Sequence, residues 1–182
     1  MFVMTSQENH EETVQFFKEN GYFGGLESSF VFFSQLMLPA VDTKGKILMQ
    51  SPYKMKLAPN GHGALFEAIR SEPDIRDSLT EFEYIQVTGV DNALNKILDP
   101  IHIGFTHTRN LDSSVKIIEK EDPREKLGII GKKNGKYALI EYSDMPADLA
   151  NEREPDGSLL FKHGSIHNFV CRSDFLLELT SG

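Results

Sequence analysis

"APNGHGALFEAI", residues 58–69, sets two glycines and a histidine directly before an apolar run, and "ALFEAIRS" (64–71) reads as a helix. Gly61 and Gly63 permit positive φ and carry no Cβ to hold a flat ligand away from the backbone. A helix beginning at Ala64 would direct its free N–H groups back toward that loop. Such a loop either turns the chain cheaply or brings main chain against a ligand. A lone G-x-G does not choose between the two, so the surrounding sequence must.

Working outward, "MFVMTS" reads as a short buried strand. A helix follows, with capping-box spacing between Asn9 and Glu12 and an apolar face from Val14, Phe17 and Tyr22. "SFVFFSQ" (29–35) reads as a buried strand, and "AVDTKGKILMQ" as a hairpin turning at Asp42–Gly45. Beyond the glycine loop, "FEYIQVTGVDN" (82–92) and "SSVKIIEK" read as strands. "LGIIGKKNGKYALIEYS" is the strongest hairpin signal, with Asn134-Gly135 at its turn. A helical stretch around 146–153, a turn at Pro155–Gly157 and an apolar C-terminal run complete the chain. Helices alternate with strands early and hairpins come later, which is the pattern of an α/β protein with a mixed sheet.

The 182 residues suit one domain able to bury a sizeable core. The formal charge is −8 with no basic stripe, which argues against a nucleic-acid partner held through phosphates. No apolar run has the length of a membrane span, and the lone Cys171 fits a reducing compartment such as the cytoplasm. Oligomeric state is not readable from the sequence.

Several residues could carry chemistry. Gln35, at a strand end, offers an acceptor beside a pair of donors, the complement of a pyrimidine edge, although most glutamines are simply solvated. Asp91-Asn92 also follows a strand, where open α/β sheets bind ligands; a carboxylate there suits Mg²⁺, and the pair equally suits a helix cap. Glu141 ends the second strand of the hairpin and could meet sugar hydroxyls or water. Lys54 and Lys56 could meet phosphate or sit as solvated strand edges. His163 and His167 are four apart, but in a strand-like segment without a third ligand, so no zinc site is expected. His102 and His107 read as loop or edge residues, and Cys171 as an inert core thiol.

Taken in order, "MTS", "YFGG", "FFSQLMLPAVD", "KMKLAPNGHGALFEAI", "GVDNALNKILDPIHIGF", "KIIEKEDPREKLGII", "IEYSDM" and "DGSLLFKHGSI" resemble the eukaryotic-type UDP-sugar pyrophosphorylases, in particular their UDP-N-acetylglucosamine (N-acetylhexosamine) branch. The resemblance covers essentially the whole chain. It implies a Rossmann-like nucleotide-diphospho-sugar transferase fold with helices on both faces of the sheet. It implies that Gln35, Gly61 and His62 bind uridine, that Asp91 holds Mg²⁺, and that Gly128, Glu141 and the Ser165 position line the sugar pocket. The implied substrates are UTP and a sugar 1-phosphate, above all N-acetylglucosamine 1-phosphate, giving UDP-N-acetylglucosamine and pyrophosphate. Gln35, the Gly61–Gly63 segment and Asp91 are then expected to serve one ligand.

The resemblance has departures. The family's opening strand and loop, L-x-G-G-x-G-T-R-L-G, has no counterpart here, and neither does its lysine from beyond the sugar-binding region. Ser165 stands where the family has the asparagine of A-G-N-I, which leaves room for UDP-glucose or a broader choice of sugar. Residues 1–182 therefore read as the central part of a single nucleotidyltransferase catalytic domain, lacking its first strand and signature loop, with no catalytic Arg or Lys assignable. A remnant that only binds nucleotide sugar is the rival from another class. Each preorganised donor lost costs about 10²–10³ in rate. A coupled pyrophosphate-release assay on these residues alone is accordingly expected to show no turnover, and turnover at an ordinary enzymatic rate would contradict that.

Overall fold

Two short apolar strands flank an amphipathic helix, and burying one face of each against the helix demands that the strands run parallel. In the computed structural model, which describes residues 1–181, β1 (Phe2–Thr5) pairs in parallel with β2 (Val31–Ser34) in the register Phe2↔Val31 to Thr5↔Ser34, and α1 (His10–Glu19) connects them. Phe17 of α1 lies 5.0, 5.2 and 5.4 Å, centroid to centroid, from Phe32, Phe23 and Phe30. Tyr22 and Phe23 hold the turn after α1 with φ of 49° and 54°. The capping box does not form: the Asn9 side chain accepts from Ser6 N–H at 2.8 Å and Ser6 Oγ at 3.1 Å, so it closes the loop before the helix.

β3 (Met37–Pro39), β4 (Met49–Ser51), β5 (Lys54–Met55) and β6 (Leu57–Pro59) follow, β3 antiparallel to β6 and β4 to β5. The expected turn is present, with Asp42 Oδ1 accepting from the N–H groups of Lys44 and Lys46 and Gly45 at φ 78°. Next come α2 (Ala64–Ser71) and α3 (Pro73–Leu79), which bury Ala64, Ala68, Ile69, Ile75 and Leu79. Arg76 anchors the chain end to this unit by donating to Thr180 O and Oγ1, both at 3.0 Å, and to Leu177 O at 3.2 Å. Met1–Leu79 with residues from Leu177 onward form one compact unit, and Thr80–Leu176 form the second.

The second unit contains β7 (Tyr84–Thr88), α4 (Pro100–Thr108), β8 (Ser113–Glu119), β9 (Ile129–Lys133), β10 (Lys136–Ile140), α5 (Ala147–Ala150), β11 (His163–Arg172) and most of α6 (Ser173–Leu179). Its five-stranded sheet is antiparallel and built around β11. One edge of β11 pairs with β8. The other is shared by β7, along Asn168–Arg172, and by β9, through Gly164↔Ile129. Asn134 and Gly135, at φ 53° and 78°, make the tight β9–β10 turn their sequence predicts. Parallel and antiparallel pairing thus both occur, but in separate sheets instead of one mixed sheet. Val170, Cys171 and Leu176 are almost fully buried, and burial pushes the Cys171 thiol up to about 12, consistent with an inert core group.

His102 corrects the sequence reading. It lies in α4, not in a loop, because Asp99 caps the helix through Ile101 N–H and Pro100 supplies its first turn. His102 is 6% exposed, its Nε2 lies 2.9 Å from Ser114 Oγ, and its Nδ1 has no partner. Burial, aided by Lys116, holds its pKa below the usual histidine value. The neighbouring Asp99–Lys116 pair, at 2.5 Å, holds the Asp99 carboxyl below the usual carboxylate range.

The folded state therefore binds fewer protons at His102 than the unfolded chain once pH falls below the ordinary histidine pKa, so stability falls with acidification. Chemical denaturation between pH 7 and pH 5 is expected to show this loss, and His102→Gln is expected to flatten it. An unchanged slope in the variant would rule out His102 as its source.

Candidate functional site at the strand ends

The polar architecture of the second unit begins with Asn168, which is 1% exposed. A buried carboxamide must be satisfied on both ends, and this one is. Its Oδ1 accepts from Gln86 Nε2 at 3.0 Å and its Nδ2 donates to Asn95 Oδ1 at 3.1 Å. Gln86 continues outward, donating to Lys96 O at 3.0 Å and accepting from Leu98 N–H at 2.5 Å. Asn95 Nδ2 donates to Thr88 Oγ1 and, at 3.4 Å, to Gly89 O. Asn92 Oδ1 accepts from Leu94 N–H at 3.1 Å, while its Nδ2 donates to Asn95 Oδ1 at 3.3 Å. Three amide side chains thus fasten residues 89–98, the loop that carries Asp91, to β7 and β11.

β11 contributes a bulge at the same place. Its register against β8 shifts between Ser165 and Phe169, and His167 within the shift has φ 49°. The bulge is held by His167 N–H donating to Ser165 Oγ at 3.3 Å and by Gly89 N–H donating to His167 O at 3.1 Å. Two glycines leave room around it. A Cβ on Gly89 would lie 2.6 Å from Asp91 Oδ1 and 3.4 Å from His167 Cδ2. A Cβ on Gly128 would lie 2.8 Å from Leu139 Cδ1 and 3.6 Å from Glu141 Oε2. Ser165 N–H donates to Gly128 O at 2.8 Å. Asp91, Gly128, Glu141 and Ser165, separate in sequence, are linked around one bulge through Gly89 and His167.

The remaining candidates lie in the first unit. Met37↔Pro59 is the outermost pair of the β3–β6 ladder, so Gln35 and Gly61 leave the ladder at the same end. Gln35 Oε1 is buried and has no hydrogen-bond partner among the described residues. Gly61 uses positive φ, at 80°, whereas Gly63 sits at φ −63° and does not. A Cβ on either would meet nothing within 4 Å, so neither is a glycine for packing reasons. His62 is exposed. The expected free N–H groups at the start of α2 are partly consumed: those of Ala64, Leu65 and Phe66 bond back to Gly61, His62 and Gly63 carbonyls at 3.2–3.3 Å.

Sequence reasoning passed over the Gln86–Asn95–Asn168 network and gave His167 no role beside Asp91. Among the described residues no group of three or more His, Cys, Asp or Glu could hold a metal by itself. The exposed Asp91 carboxylate is a donor suited to Mg²⁺, which binds through one or two carboxylates together with phosphates and water.

The Asp91 carboxylate after β7, the Gly128 carbonyl before β9 and the Ser165 hydroxyl within β11 thus lie around the bulge of an α/β protein. The chain belongs to the UTP–glucose-1-phosphate uridylyltransferase family, whose sequence profile matches residues 1–168. It is 35% identical over 177 residues to the UDP-N-acetylglucosamine pyrophosphorylase of Saccharomyces cerevisiae, a match covering 96% of this chain and 37% of that protein. It is 34% identical over 180 residues to the human UDP-N-acetylhexosamine pyrophosphorylase-like protein 1, covering 98% and 36% respectively. The Trypanosoma brucei uridine diphosphate N-acetylglucosamine pyrophosphorylase, solved with an inhibitor, superposes with a TM-score of 0.81 at 31% identity, over 96% of this chain and 36% of that one. A Leishmania major UDP-glucose pyrophosphorylase variant solved with UDP-glucose shares the fold, with a TM-score of 0.72 at 19% identity, over 97% and 40%. The chain thus spans little more than a third of the length of the curated relatives it matches.

Asn168→Ala strips partners from Gln86 and Asn95, and a buried group left unsatisfied costs about 1–3 kcal/mol. Urea denaturation should report a loss in that range, and hydrogen exchange should quicken across residues 89–98. Wild-type exchange in that loop would contradict its dependence on Asn168.

Proposed function

We propose that the chain is the nucleotide-sugar-binding part of a uridylyltransferase that forms UDP-N-acetylglucosamine and pyrophosphate from UTP and N-acetylglucosamine 1-phosphate. The observation that carries this reading is the linkage of Asp91, Gly128, Glu141 and Ser165 around the β11 bulge, since two carboxylates, a carbonyl and a hydroxyl are what a sugar and a metal-bridged diphosphate require. The relatives support it by name.

Each residue then has a task. Gln35 reads the pyrimidine edge once its side chain turns outward to release the Oε1 that is buried here without a partner, and the bare main chain at Gly61 meets the base edge, with His62 beside it. Glu141 accepts from sugar hydroxyls, and Gly128 admits the sugar because its missing Cβ leaves the Glu141 carboxylate uncovered. Asp91 is the carboxylate to hold Mg²⁺, which when bound would neutralise charge on the phosphates. The reaction is an in-line attack of a sugar 1-phosphate oxygen on the α-phosphorus of UTP, with pyrophosphate leaving. Alignment and charge neutralisation, not covalent catalysis, carry such a transfer. These partners are small and soluble, and no helix among the described residues is long and apolar enough to cross a membrane. A cytoplasmic setting fits that chemistry.

A second reading, UDP-glucose or several UDP-sugars as ligand, is favoured by one feature. The hydroxyl of Ser165 already accepts from His167 N–H at 3.3 Å, and it is a shorter group than an asparagine amide for reaching an N-acetyl substituent.

Calorimetry with UDP-N-acetylglucosamine, UDP-glucose and UTP, each with Mg²⁺, separates the readings. UDP-N-acetylglucosamine is expected to bind most tightly, and Glu141→Ala to weaken it by about 1.5–3 kcal/mol, the worth of hydrogen bonds to a charged group. Tighter binding of UDP-glucose would favour the second reading, and binding by none of the three would end both.

A further inference from the structure

Strands β1 and β2 end on a cluster of side chains to which the proposed reaction gives no task. Thr5 and Ser34 form the last pair of the parallel ladder, and Gln35 N–H donates to Thr5 O at 2.8 Å just beyond it. His10, the half-buried first residue of α1, holds its Nδ1 2.8 Å from Thr5 Oγ1 and 3.1 Å from Ser34 Oγ. Thr5 is 5% exposed and donates through Oγ1 to Phe33 O at 3.0 Å, and the two hydroxyl oxygens lie 3.3 Å apart. Every group is served when Nδ1 carries the ring proton, which Thr5 Oγ1 accepts while Ser34 Oγ donates to the same oxygen. A single imidazole thus ties together the strand ends from which Gln35 emerges.

A two-stranded ladder is marginal in isolation and opens first at its ends. Here the cluster supports the last rung, the one that holds Gln35. Gln35 Oε1 is buried with no hydrogen-bond partner among the described residues, so its carboxamide gains by turning toward a base. Uracil presents a carbonyl beside an N–H where cytosine presents an amino group beside a bare nitrogen. A carboxamide flipped end for end serves either pattern, so the choice depends on where the main chain holds it. We infer that His10 is a positioning residue for base selection: through Thr5 and Ser34 it fixes the main chain of Gln35, and with it the placement that favours uracil over cytosine. The inference rests on the proposed function for the role of Gln35 and goes beyond it in naming a residue, outside the base-reading set, on which the choice of base depends.

The test compares the 182-residue chain with two variants. His10→Ala removes the tie, and His10→Asn keeps a donor, since an asparagine amide nitrogen can stand where Nδ1 does. Without ligand, hydrogen exchange at Gln35 N–H is expected to quicken about tenfold or more in His10→Ala and to return toward the wild-type rate in His10→Asn. Exchange at Ile69, buried in α2, is expected to stay unchanged, which separates a local opening from a loss of overall stability. Calorimetry with UDP and with CDP, each with Mg²⁺, then reads base selection. The wild type is expected to prefer UDP, and His10→Ala to lose about tenfold of that preference, the worth of one neutral hydrogen bond. His10→Asn is expected to keep it. Wild-type exchange at Gln35 in His10→Ala, no recovery in His10→Asn, or an unchanged UDP-to-CDP ratio beside quickened exchange would overturn the inference, as would equal binding of the two nucleotides by the wild type. Binding of neither would count against the proposed function and the base-selecting role together, while exchange at Gln35 would still decide whether His10 holds the strand ends.

Discussion

A carboxamide buried to 1% exposure has nowhere to turn for water, and the site in the second unit is arranged around that fact at Asn168. The side chain sits on β11 next to His167 within the bulge and reaches Gln86 on β7 and Asn95 in the loop beyond it. Because each amide has an acceptor and donors to place, satisfying one restricts the next. Gln86 in turn fixes Lys96 and Leu98, and Asn95 fixes Thr88 and Gly89. The loop bearing Asp91 is thereby given one shape by groups that need not touch a ligand. Fully satisfied buried networks specify structure in this way, and partly satisfied ones are costly.

What the network fixes, glycines leave open. Gly89 and Gly128 both lie where a methyl group would strike a neighbour, and in each case a carboxylate oxygen is among the atoms it would approach, Asp91 Oδ1 in one and Glu141 Oε2 in the other. Gly61 and Gly63 are different, since their missing side chains face empty space. One pair makes room for exposed acidic side chains to lie close against main chain, and the other keeps main chain clear. The first arrangement suits hydroxyls and phosphates, and the second suits a flat ring.

Features with local causes were legible in the sequence. Asn134-Gly135 pointed to its turn, "ALFEAIRS" to its helix, and the short apolar runs "FVMT" and "VFFS" to their strands. Helix α4 was not read, because "PIHIGFTHT" is apolar on most sides, contains a glycine and β-branched residues, and shows no clean stripe; its only clear signal was the Asp99-Pro100 start. Gln35, Gly61, Asp91 and Glu141 stood out by residue type and place, and His62, Gly128 and Ser165 by family resemblance, but the supports around them did not stand out. Gln86 and Asn168 are 82 positions apart, and the left-handed turn at His167 lies where β11 pairs with β8 on one edge and divides the other between β7 and β9. No local pattern carries that information. Gln35 shows the converse: its type was readable, but its orphaned oxygen was a matter of burial.

The central claim is that the residues gathered around the β11 bulge bind a nucleotide sugar. Titration of ¹⁵N-labelled protein with UDP-N-acetylglucosamine and Mg²⁺, followed by amide chemical shifts, addresses it directly. The account predicts that Gly89, Asp91, Gly128 and Ser165 shift along a single saturation curve with one midpoint. Unrelated midpoints among these residues, or movement only at residues remote from the bulge, would contradict it.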